Sequence, residues 1–246
     1  MDLATDRIAR SFARGMASYD AAALAQARIA GRLFAAWRRA SAGQPVARLL
    51  EAGHGSGHLT RHLAGLGAEM WLNDLVAPPL PGLAAHYLPG DIARVALPGG
   101  MDLVASASMI QWVAEPARVI ARLAGAAAPG GWLAISGYGP GHFPELRALG
   151  SRAAAPSCLG GAALAALLPA GWRLQGAGEW REVLHFPDAL AVLRHLRATG
   201  VNARAGQFRS AAALRDFCAR YQREFSGPRG LPLTYVASWM LARRAL

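Results

Sequence analysis

The chain has 246 residues, of which 53% are hydrophobic and 17% are charged, with 28 Gly and only two Cys. This length fits one α/β domain or two small ones, and the composition excludes extended disorder and a disulfide framework. No apolar run reaches the roughly 18–20 residues that a membrane-spanning helix needs, and the opening Met1-Asp2-Leu3 lacks the apolar stretch of a signal peptide. We therefore expect a cytoplasmic protein that does not interact with a membrane.

The charge is strongly basic and unevenly distributed. All 26 basic residues are arginines, and the net charge is +11. Residues 1–48 carry +5, residues 49–140 carry −2 and residues 141–246 carry +8. A near-neutral middle between basic flanks favours an acidic partner that meets the flanks, although arginine simply taking the place of lysine on solvated helix faces is the alternative. Arginines without interleaved aromatic residues do not favour nucleic acid as that partner.

In chain order, the first predicted element is a helical arm over residues 6–40, with a break at 14–18. Short apolar runs then alternate with helical segments, which is typical of a parallel sheet with crossover connections. The predicted strands are 46–52, 69–72, 102–106 and 132–137, and the predicted helices are 59–66 and 116–127, the latter closed by Pro129-Gly130-Gly131. Three prolines within 77–82 exclude a full helix there.

After residue 140 the pattern changes to a strand over 179–186, helices over 187–199 and 210–225, and a final strand over 233–243. We expect one α/β domain over residues 1–246, with a doubly wound, mostly parallel Rossmann-like sheet. It divides into a helical N-terminal arm (1–45), a cofactor-binding core (46–140), and a cap region with the final strands (141–246). The cap includes a helical insertion before the last strand.

A glycine-rich turn follows the first predicted strand and precedes a helix, with the sequence Glu51-Ala52-Gly53-His54-Gly55-Ser56-Gly57. Glycine tolerates positive φ and lets the backbone approach a ligand, although a tight strand-to-helix turn is the simpler alternative. His58 stands where a dinucleotide-binding G-x-G-x-x-G motif needs its third glycine, and a P-loop needs a lysine that the chain lacks. NAD and ATP are therefore disfavoured.

Two acids follow at informative positions. Asp74 ends the second predicted strand, where a carboxylate can accept both hydroxyls of a ribose, and Asp91-Ile92 offers an acid beside an apolar residue, suited to an adenine. Asp74 as a cap and Asp91 as a turn residue are the alternatives. In this order the residues resemble the signature of class I S-adenosylmethionine methyltransferases: Glu51, Gly53, Gly55, Gly57, Asp74 and Asp91.

Segments along nearly the whole chain resemble the malonyl-[acyl-carrier protein] O-methyltransferases of biotin synthesis. The matching segments are Ile8–Phe12, Ala17–Asp20 with Gln26, Asp102–Val104 through Ser106 to Gln111-Trp112, Gly141–Arg147, His185-Phe186 with Leu193-Arg194 through Thr199-Gly200, and Leu231–Tyr235. Three features depart from the family pattern: His54 replaces the usual Cys, Ala107 replaces the usual Asn, and the segment after Asp74 is short and rich in proline.

The resemblance implies S-adenosylmethionine as methyl donor and assigns further residues to two sites. Those on the cofactor side are Tyr19, Gln26, Ile92 and Ser106. Those on the acceptor side are Gln111, Trp112, Arg147 and Phe186, the last as a wall of the cap. Packed core positions for Tyr19, Trp112 and Phe186, and a solvated position for Arg147, are the alternatives.

The expected reaction is methylation of the free carboxylate of a malonyl thioester on an acidic acyl-carrier protein, giving the methyl ester that starts pimeloyl formation in biotin synthesis. A carboxylate is already ionised at neutral pH, so we predict no catalytic acid–base pair and a mechanism of proximity, alignment and desolvation. No metal is predicted, because the histidines at 54, 58 and 62 lack an intervening Glu and an obvious further ligand.

Two other functions stay open. The acceptor could be another small-molecule carboxylate, a phenol or a carbon nucleophile. Alternatively, Ala107 and the short segment after Asp74 could mark a non-catalytic protein that retains the fold. The sequence does not determine the oligomeric state or the choice between carrier-protein and coenzyme A thioesters.

Overall fold

The structure, a computed structural model, describes residues 22–151, 155–199 and 210–246. Tyr19 and the rest of the predicted arm before residue 22 lie outside these residues. Within the described ranges, no helix is both long enough and apolar enough to cross a membrane.

Seven strands form one sheet in the order β3-β2-β1-β4-β5-β7-β6. The strands are β1 (Arg48–Ala52), β2 (Glu69–Asp74), β3 (His86–Pro89), β4 (Met101–Ala107), β5 (Ala127–Tyr138), β6 (Trp172–Phe186) and β7 (Leu231–Arg244). Strands β1 to β5 are parallel, and β7 runs antiparallel between β5 and β6. The strand order reverses at β1, so a crevice opens beyond the carboxyl ends of β1 and β4. The predicted fold class is confirmed.

Seven α-helices surround the described part of the sheet. They are α1 (Leu24–Ala40), α2 (Thr60–Leu63), α3 (Pro116–Ala126), α4 (Pro144–Ala148), α5 (Gly161–Ala165), α6 (Ala189–Ala198) and α7 (Ala211–Phe225), with single 3₁₀ turns at Ala64–Leu66 and Ile110–Trp112. Helix α1 buries Ile29, Leu33 and Trp37, which recur every four residues and so share one face. Helices α6 and α7 form the predicted insertion before the last strand.

Some elements differ from the predictions. Strand β3 was not predicted, because it is a four-residue edge strand whose exposure gives it no apolar face. Strand β5 begins at Ala127, so Pro129-Gly130-Gly131 lies inside the strand rather than closing helix α3, and Gly130 takes a φ of +76° there. Strand β6 begins seven residues earlier than predicted, since its first half is an exposed edge without an apolar pattern. The short helices α4 and α5 were also not predicted.

The proline-rich segment after Asp74 contains no helix between residues 75 and 85, as its prolines predict. The Tyr87 hydroxyl accepts a hydrogen bond from the backbone N–H of Leu80 (2.9 Å). The Leu80 side chain packs against the glycine turn, within the hydrophobic core that includes Leu59 and Leu63. A loop therefore replaces a crossover helix and still covers this end of the sheet.

Three hydrophobic cores hold these elements together. One lies between the sheet and helices α1 and α2, and a second lies on the opposite face under α3 and α5. The third lies under the cap, between α1, α4, α6, α7 and β7. Helix α1 contributes to two cores, with Ala25 and Ile29 in the cap core and Leu33 and Trp37 in the first. The division into arm, core and cap stays a prediction.

Candidate functional site

A cavity of about 330 Å³ opens beyond the carboxyl ends of β1, β2 and β4. This is the point of the sheet where the strand order reverses, which is where open α/β sheets bind ligands. The predicted site residues that line it are Gln26, Glu51, Gly53, Gly55, Asp74, Asp91, Ile92 and Trp112. The structure therefore brings together residues that are separated by up to 86 positions in the chain.

The glycine turn forms one wall of this cavity, and its glycines have different roles. Gly53 has a φ of +74°, and a Cβ built on it would lie 2.5 Å from Cγ of Met109. Gly55 has a φ of +52°, and a Cβ there would meet nothing within 4 Å. Gly53 is thus required both for its backbone conformation and for close packing, whereas Gly55 is required for its conformation alone.

Asn73 holds the cavity walls together, and sequence analysis missed it. Its backbone oxygen accepts hydrogen bonds from the N–H groups of Gly53 (2.8 Å) and His54 (3.0 Å). Its side-chain amide donates to the backbone oxygens of Leu88 (2.7 Å) and Gly90 (2.9 Å). The residue is 1% exposed. A polar residue at a buried position, directly before Asp74, is the signal that could have identified it.

The Asp74 carboxylate is fixed by three backbone donors. Oδ2 accepts from Gly55 N–H (2.9 Å), and Oδ1 accepts from the N–H groups of Val76 (2.9 Å) and Ala77 (2.8 Å). Asp74 therefore caps the segment that follows β2, which the sequence analysis gave as its alternative role, and it also lines the cavity. Because a carboxylate oxygen can accept about two hydrogen bonds, Oδ2 can still accept one from a ligand.

Asp91 is the second acid beyond the strand ends that lines the cavity. Its Oδ1 accepts a hydrogen bond from Ala93 N–H (2.9 Å), which makes it a turn residue as well as a lining residue. Its Oδ2 lies 3.9 Å from Nε of Arg94. The buried side chain of Ile92 and the lining residues Val113 and Val119 supply an apolar surface beside it. An acid next to an apolar wall suits a flat aromatic ring that carries an amino group.

Glu51 is buried at the base of the cavity and is 1% exposed. Its Oε2 accepts a hydrogen bond from Oγ1 of Thr60 (2.7 Å). Burial raises the pKa of Glu51 to about 8; the Thr60 hydrogen bond opposes this rise and the nearby Asp74 carboxylate adds to it. The Glu51 carboxyl group is therefore mostly protonated at neutral pH when the cavity holds no ligand.

His54 does not supply a positive charge to this cavity. Its Nδ1 donates a hydrogen bond to the backbone oxygen of Gly55 (3.0 Å), and burial lowers its pKa. Arg94 and Arg118 line the cavity, each 3.9 Å from an acid at its rim, Asp91 and Glu115 respectively.

Across residues 22–151, 155–199 and 210–246, neither Glu51 nor Asp74 forms an ion pair with arginine. The cavity thus offers two carboxyl groups that no described arginine pairs with, together with backbone turns and an apolar wall. A positively charged ligand with a ribose and an adenine matches this set of groups. The residues present therefore fit S-adenosylmethionine.

Two residues predicted on the cofactor side lie outside the cavity lining. Ser106 is fully buried and its hydroxyl donates to the backbone oxygen of Ala52 (2.8 Å), which ties β4 to β1. Gly57 packs under Leu80, with a φ of +86°. Both residues therefore contribute to the structure next to the glycine turn without lining the cavity.

Of the residues predicted on the acceptor side, only Trp112 lines the cavity. Gln111 is fully buried, and its amide donates to the backbone oxygen of Ser108 (2.6 Å). The Arg147 side chain is exposed and its guanidinium donates to the backbone oxygen of Pro140. Phe186 belongs to the cap core, with its ring 4.9 Å from the ring of His195.

The cavity is also lined by Ala107, which ends β4 and which the sequence singled out as a departure from the family pattern, and by Ser108 and Met109, which sequence analysis missed. Ser108 is not glycine and yet has a φ of +56°, and its hydroxyl is buried without a hydrogen-bond partner in the part of the chain that the structure describes. Backbone strain of this kind costs on the order of 1–3 kcal/mol and concentrates at functional sites. The hydrogen bond from the Gln111 amide to the backbone oxygen of Ser108 helps to hold this strained conformation.

An aromatic cluster lies beyond the ends of β5 and β7. The His142 ring stacks on Tyr138 (4.0 Å between centroids), and its Nδ1 accepts a hydrogen bond from Val236 N–H (3.2 Å). Burial lowers the pKa of His142 to about 3, so the ring is neutral at pH 7 with its proton on Nε2. Helix α1 lies between the two regions, because Gln26 lines the cavity whereas Ile29 belongs to the cap core.

Among the residues for which the structure gives positions, no group of three or more His, Cys, Asp or Glu side chains could hold a metal ion. Sequence analysis had considered His54, His58 and His62. Of these, His54 and His58 line the cavity, whereas the His62 ring stacks on Phe34 with 5.4 Å between centroids.

Comparisons with known proteins agree with this geometry. The profile of the methyltransferase-domain family matches residues 50–135. The chain is 33% identical to the malonyl-[acyl-carrier protein] O-methyltransferase of Prosthecochloris aestuarii, over 96% of this chain and 92% of the relative. It is 31% identical to the protein of that name from Chlorobium phaeovibrioides, over 96% and 95% of the two chains.

A solved structure of a putative methyltransferase from Bacillus halodurans C-125 superposes with a TM-score of 0.60, covering 87% of this chain and 99% of that one. At 11% identity, this likeness shows the fold alone.

Proposed function

Because this chain belongs to the malonyl-[acyl-carrier protein] O-methyltransferase family, it is an S-adenosylmethionine-dependent O-methyltransferase, and we propose that it methylates the free carboxylate of a malonyl thioester on acyl-carrier protein. The methyl ester would then enter fatty-acid elongation as the start of pimeloyl formation in biotin synthesis.

The observation that supports this acceptor is the extent of the similarity. The methyltransferase-domain profile ends at residue 135, but the similarity to the two relatives spans 96% of the chain and so includes the cap. A shared cofactor core alone would not extend into α6, α7 and β7. We therefore attribute the shared acceptor to the region after residue 140.

We assign the cofactor to the cavity at the ends of β1, β2 and β4. We expect Asp74 to accept a ribose hydroxyl and Asp91 with Ile92 to contact the adenine, since all three line this cavity. When bound, S-adenosylmethionine supplies a methyl group on a positively charged sulfur. Glu51 and Asp74 provide the negative charge that balances it. Tyr19, predicted to close this pocket, stays a prediction.

The proposed acceptor needs no proton removed, since a malonyl carboxylate is ionised at neutral pH. The task of the chain is to align the carboxylate oxygen and to exclude water from both reacting charges. The neutral His142 ring and the aromatic rings that contact it form an aromatic surface beside helix α1. We place the malonyl group between Trp112 in the cavity and this surface.

We propose an acidic carrier protein as the partner of the cap. Residues 141–246 carry 14 Arg against six acids. Arg194 on α6 and Arg215 and Arg223 on α7 have partly or largely exposed side chains. An acidic surface would be attracted to them, and salt would screen the attraction. The variant Arg215→Glu/Arg223→Glu should raise KM for malonyl-carrier protein without changing cofactor affinity.

A second acceptor class has support from one observation. Ala107 lines the cavity where the family usually has Asn, so a polar side chain is absent at that position. A different small carboxylate, a phenol or a carbon nucleophile would be compatible with this change.

The decisive experiment is intact-mass analysis of malonyl-carrier protein incubated with the protein and S-adenosylmethionine, with malonyl-coenzyme A and acetyl-carrier protein in parallel. We expect a mass gain of one methyl group on the malonyl carrier and none on the acetyl carrier. Comparison of the two malonyl thioesters identifies the preferred carrier. Cofactor binding without any mass gain would reject the malonyl acceptor and favour the second class.

A further inference from the structure

Glu51 is unusual among the acids of the cofactor cavity. Asp74 and Asp91 each accept hydrogen bonds from backbone N–H groups, three at Asp74 and one at Asp91. Glu51 is buried and receives one hydrogen bond, from the hydroxyl of Thr60. Within residues 22–151, 155–199 and 210–246 this carboxyl group has one donor and no ion pair with arginine; a buried carboxylate in such surroundings is unfavourable, so the neutral acid is preferred until a positive charge arrives.

The groups around Glu51 also favour its neutral form. Helix α2 presents Thr60, strand β2 presents the Asp74 carboxylate, and the glycine turn presents His54, whose pKa is lowered by burial. The neighbouring residue on β4 is Ala105, which cannot titrate. Helix α1 contributes Gln26 to the cavity, which has no charge. The other lining residues that are charged or can titrate are His58, Asp91, Arg94, Glu115 and Arg118.

We infer that Glu51 distinguishes the methyl donor from its demethylated product by exchanging a proton: it loses a proton to solvent when the positively charged donor binds and takes one up when the sulfur becomes neutral. This inference rests on the proposed function for its ligand pair, S-adenosylmethionine and S-adenosylhomocysteine. Both ligands carry an ammonium and a carboxylate, and they differ by the positive charge on sulfur.

Protons balance both when the donor binds and when the methyl group is transferred. Protonated Glu51 plus the cationic donor gives the bound cation beside the Glu51 carboxylate, with one proton released to buffer. After methyl transfer the ligand has one positive charge fewer, so the Glu51 carboxylate recovers one proton from solvent. The product lacks the attraction between the positively charged sulfur and the Glu51 carboxylate, so the affinity for the donor relative to that for the product should increase with pH.

Linkage predicts how affinity depends on pH. Release of one proton on binding strengthens affinity by up to about tenfold per pH unit below the pKa of the free protein's carboxyl group. Between pH 6.0 and 7.5 the donor should therefore bind roughly 25-fold more tightly as pH rises, and S-adenosylhomocysteine no more than about threefold more tightly.

The test is isothermal titration calorimetry of the full chain with each ligand, at pH 6.8, in phosphate and in Tris buffer. The difference in apparent enthalpy between two buffers of different ionisation enthalpy counts the protons released. We expect close to one proton for S-adenosylmethionine and clearly fewer for S-adenosylhomocysteine. Titrations at pH 6.0 and 7.5 then measure the ratio of the two affinities, which should increase with pH.

The variant Glu51→Gln is nearly isosteric and cannot titrate, so it should release no proton and bind the donor with the same affinity at both pH values. A second variant, Thr60→Val, removes the hydrogen bond that favours the carboxylate and should weaken donor binding at pH 6.8 while still releasing a proton. Glu69→Gln, at the opposite end of β2 and paired with His86 (2.9 Å), is the matched control and should behave as the unmodified chain.

Equal proton release with both ligands, or undiminished release from folded Glu51→Gln, would overturn the inference. Absence of S-adenosylmethionine binding by the unmodified chain would instead reject the cofactor assignment on which it rests. Donor binding without proton release leaves the methyltransferase assignment intact and rejects only the role of Glu51. The three outcomes are therefore distinguishable.

Discussion

The parallel and antiparallel halves of the sheet build their sites in different ways. In the parallel half, β1 to β4, the functional groups lie at or just beyond the carboxyl end of each strand, and backbone N–H groups donate hydrogen bonds to the carboxylates of Asp74 and Asp91. In the antiparallel half, β6 and β7 pair along almost their whole length, from Trp172↔Arg244 to Phe186↔Leu231, and helices pack onto that ladder.

The two halves differ in how far apart in the chain their contacting residues lie. The cofactor cavity depends on turns whose shape is set by a few neighbouring residues. The cap depends on contacts between distant segments, such as Glu145 on α4 with Thr234 on β7. Substitutions in the first half should therefore affect cofactor affinity, and those in the second half should affect stability and acceptor turnover. The predictions below test this separation.

The largest effect is expected at Asp74. Asp74→Ala removes the proposed ribose acceptor and also releases the N–H groups of Gly55, Val76 and Ala77, so S-adenosylmethionine affinity should fall at least about 100-fold. Isothermal titration calorimetry measures this affinity. Asp102→Asn is the matched control, because Asp102 also accepts backbone hydrogen bonds, at Ala47 and Arg48, but at the amino end of β4. Unchanged affinity in Asp74→Ala would reject the site assignment.

The two glycines of the turn should differ in their effects. Gly53→Ala combines positive φ with a clash against Met109, so we expect about tenfold weaker cofactor binding. Gly55→Ala has positive φ without a clash and should cost only about 1–2 kcal/mol of conformational strain. Cofactor titration and thermal melting of both variants measure this. The double variant Gly53→Ala/Met109→Ala should recover part of the loss; if it does not, packing is not the cause.

In the antiparallel half, Glu145→Ala leaves the buried N–H and hydroxyl of Thr234 without their partners (3.0 and 2.5 Å). Stability should fall by about 1–3 kcal/mol, with cofactor affinity changed by less than about twofold. Chemical denaturation and calorimetry give the two quantities. Thr234→Val, which keeps the backbone donor, should be milder. A tenfold loss of cofactor affinity in Glu145→Ala would show that the two halves are coupled.

The two halves should also respond oppositely to pH in the absence of cofactor. The pKa of Glu51 is raised from 4.5 to about 8, so the folded chain holds a proton that the unfolded chain loses, and stability falls as pH rises between these values, by at most about 1.4 kcal/mol per pH unit. In the cap, burial lowers the pKa values of His142 and His195 to about 3 and 4, so stability falls as pH drops below 6.5.

Denaturation curves across pH 5.0 to 8.5 check this balance. Glu51→Gln should remove the loss of stability on the basic side and steepen the loss on the acidic side, because Glu51 in the unmodified chain opposes that loss between pH 4.5 and 6.5. His142→Asn should reduce the acidic loss alone. A basic limb that persists in Glu51→Gln would assign it to another group.

The smallest effect is expected at Arg147. Its guanidinium is exposed and donates to the backbone oxygen of Pro140, away from the cavity. Arg147→Ala should change KM for malonyl-carrier protein by less than about twofold in steady-state assays. An increase of tenfold or more would support the predicted pairing of Arg147 with the malonyl carboxylate.

Sequence reasoning was most successful where chemistry follows a strand directly. The positions of Glu51, Gly53 and Asp74 at one edge of the sheet follow from strand ends that must coincide in a parallel sheet. The roles of Ser106 and Gln111 could not be predicted in this way. Both are polar residues in the expected places, but the structure buries them and directs their hydrogen bonds to the backbone of Ala52 and Ser108.

The sequence by itself determined the fold class, the glycine turn and the order of acids around the cofactor, because these depend on spacing within 10 to 25 residues and on residue types with few alternatives. Only the tertiary structure decided which side chains face the cavity, how Asn73 joins its walls, and that Glu51 forms no ion pair with arginine among the residues that the structure describes. Those features depend on burial and on contacts between segments far apart in the chain, since the same carboxyl group is ionised in water and protonated when packing removes its solvent.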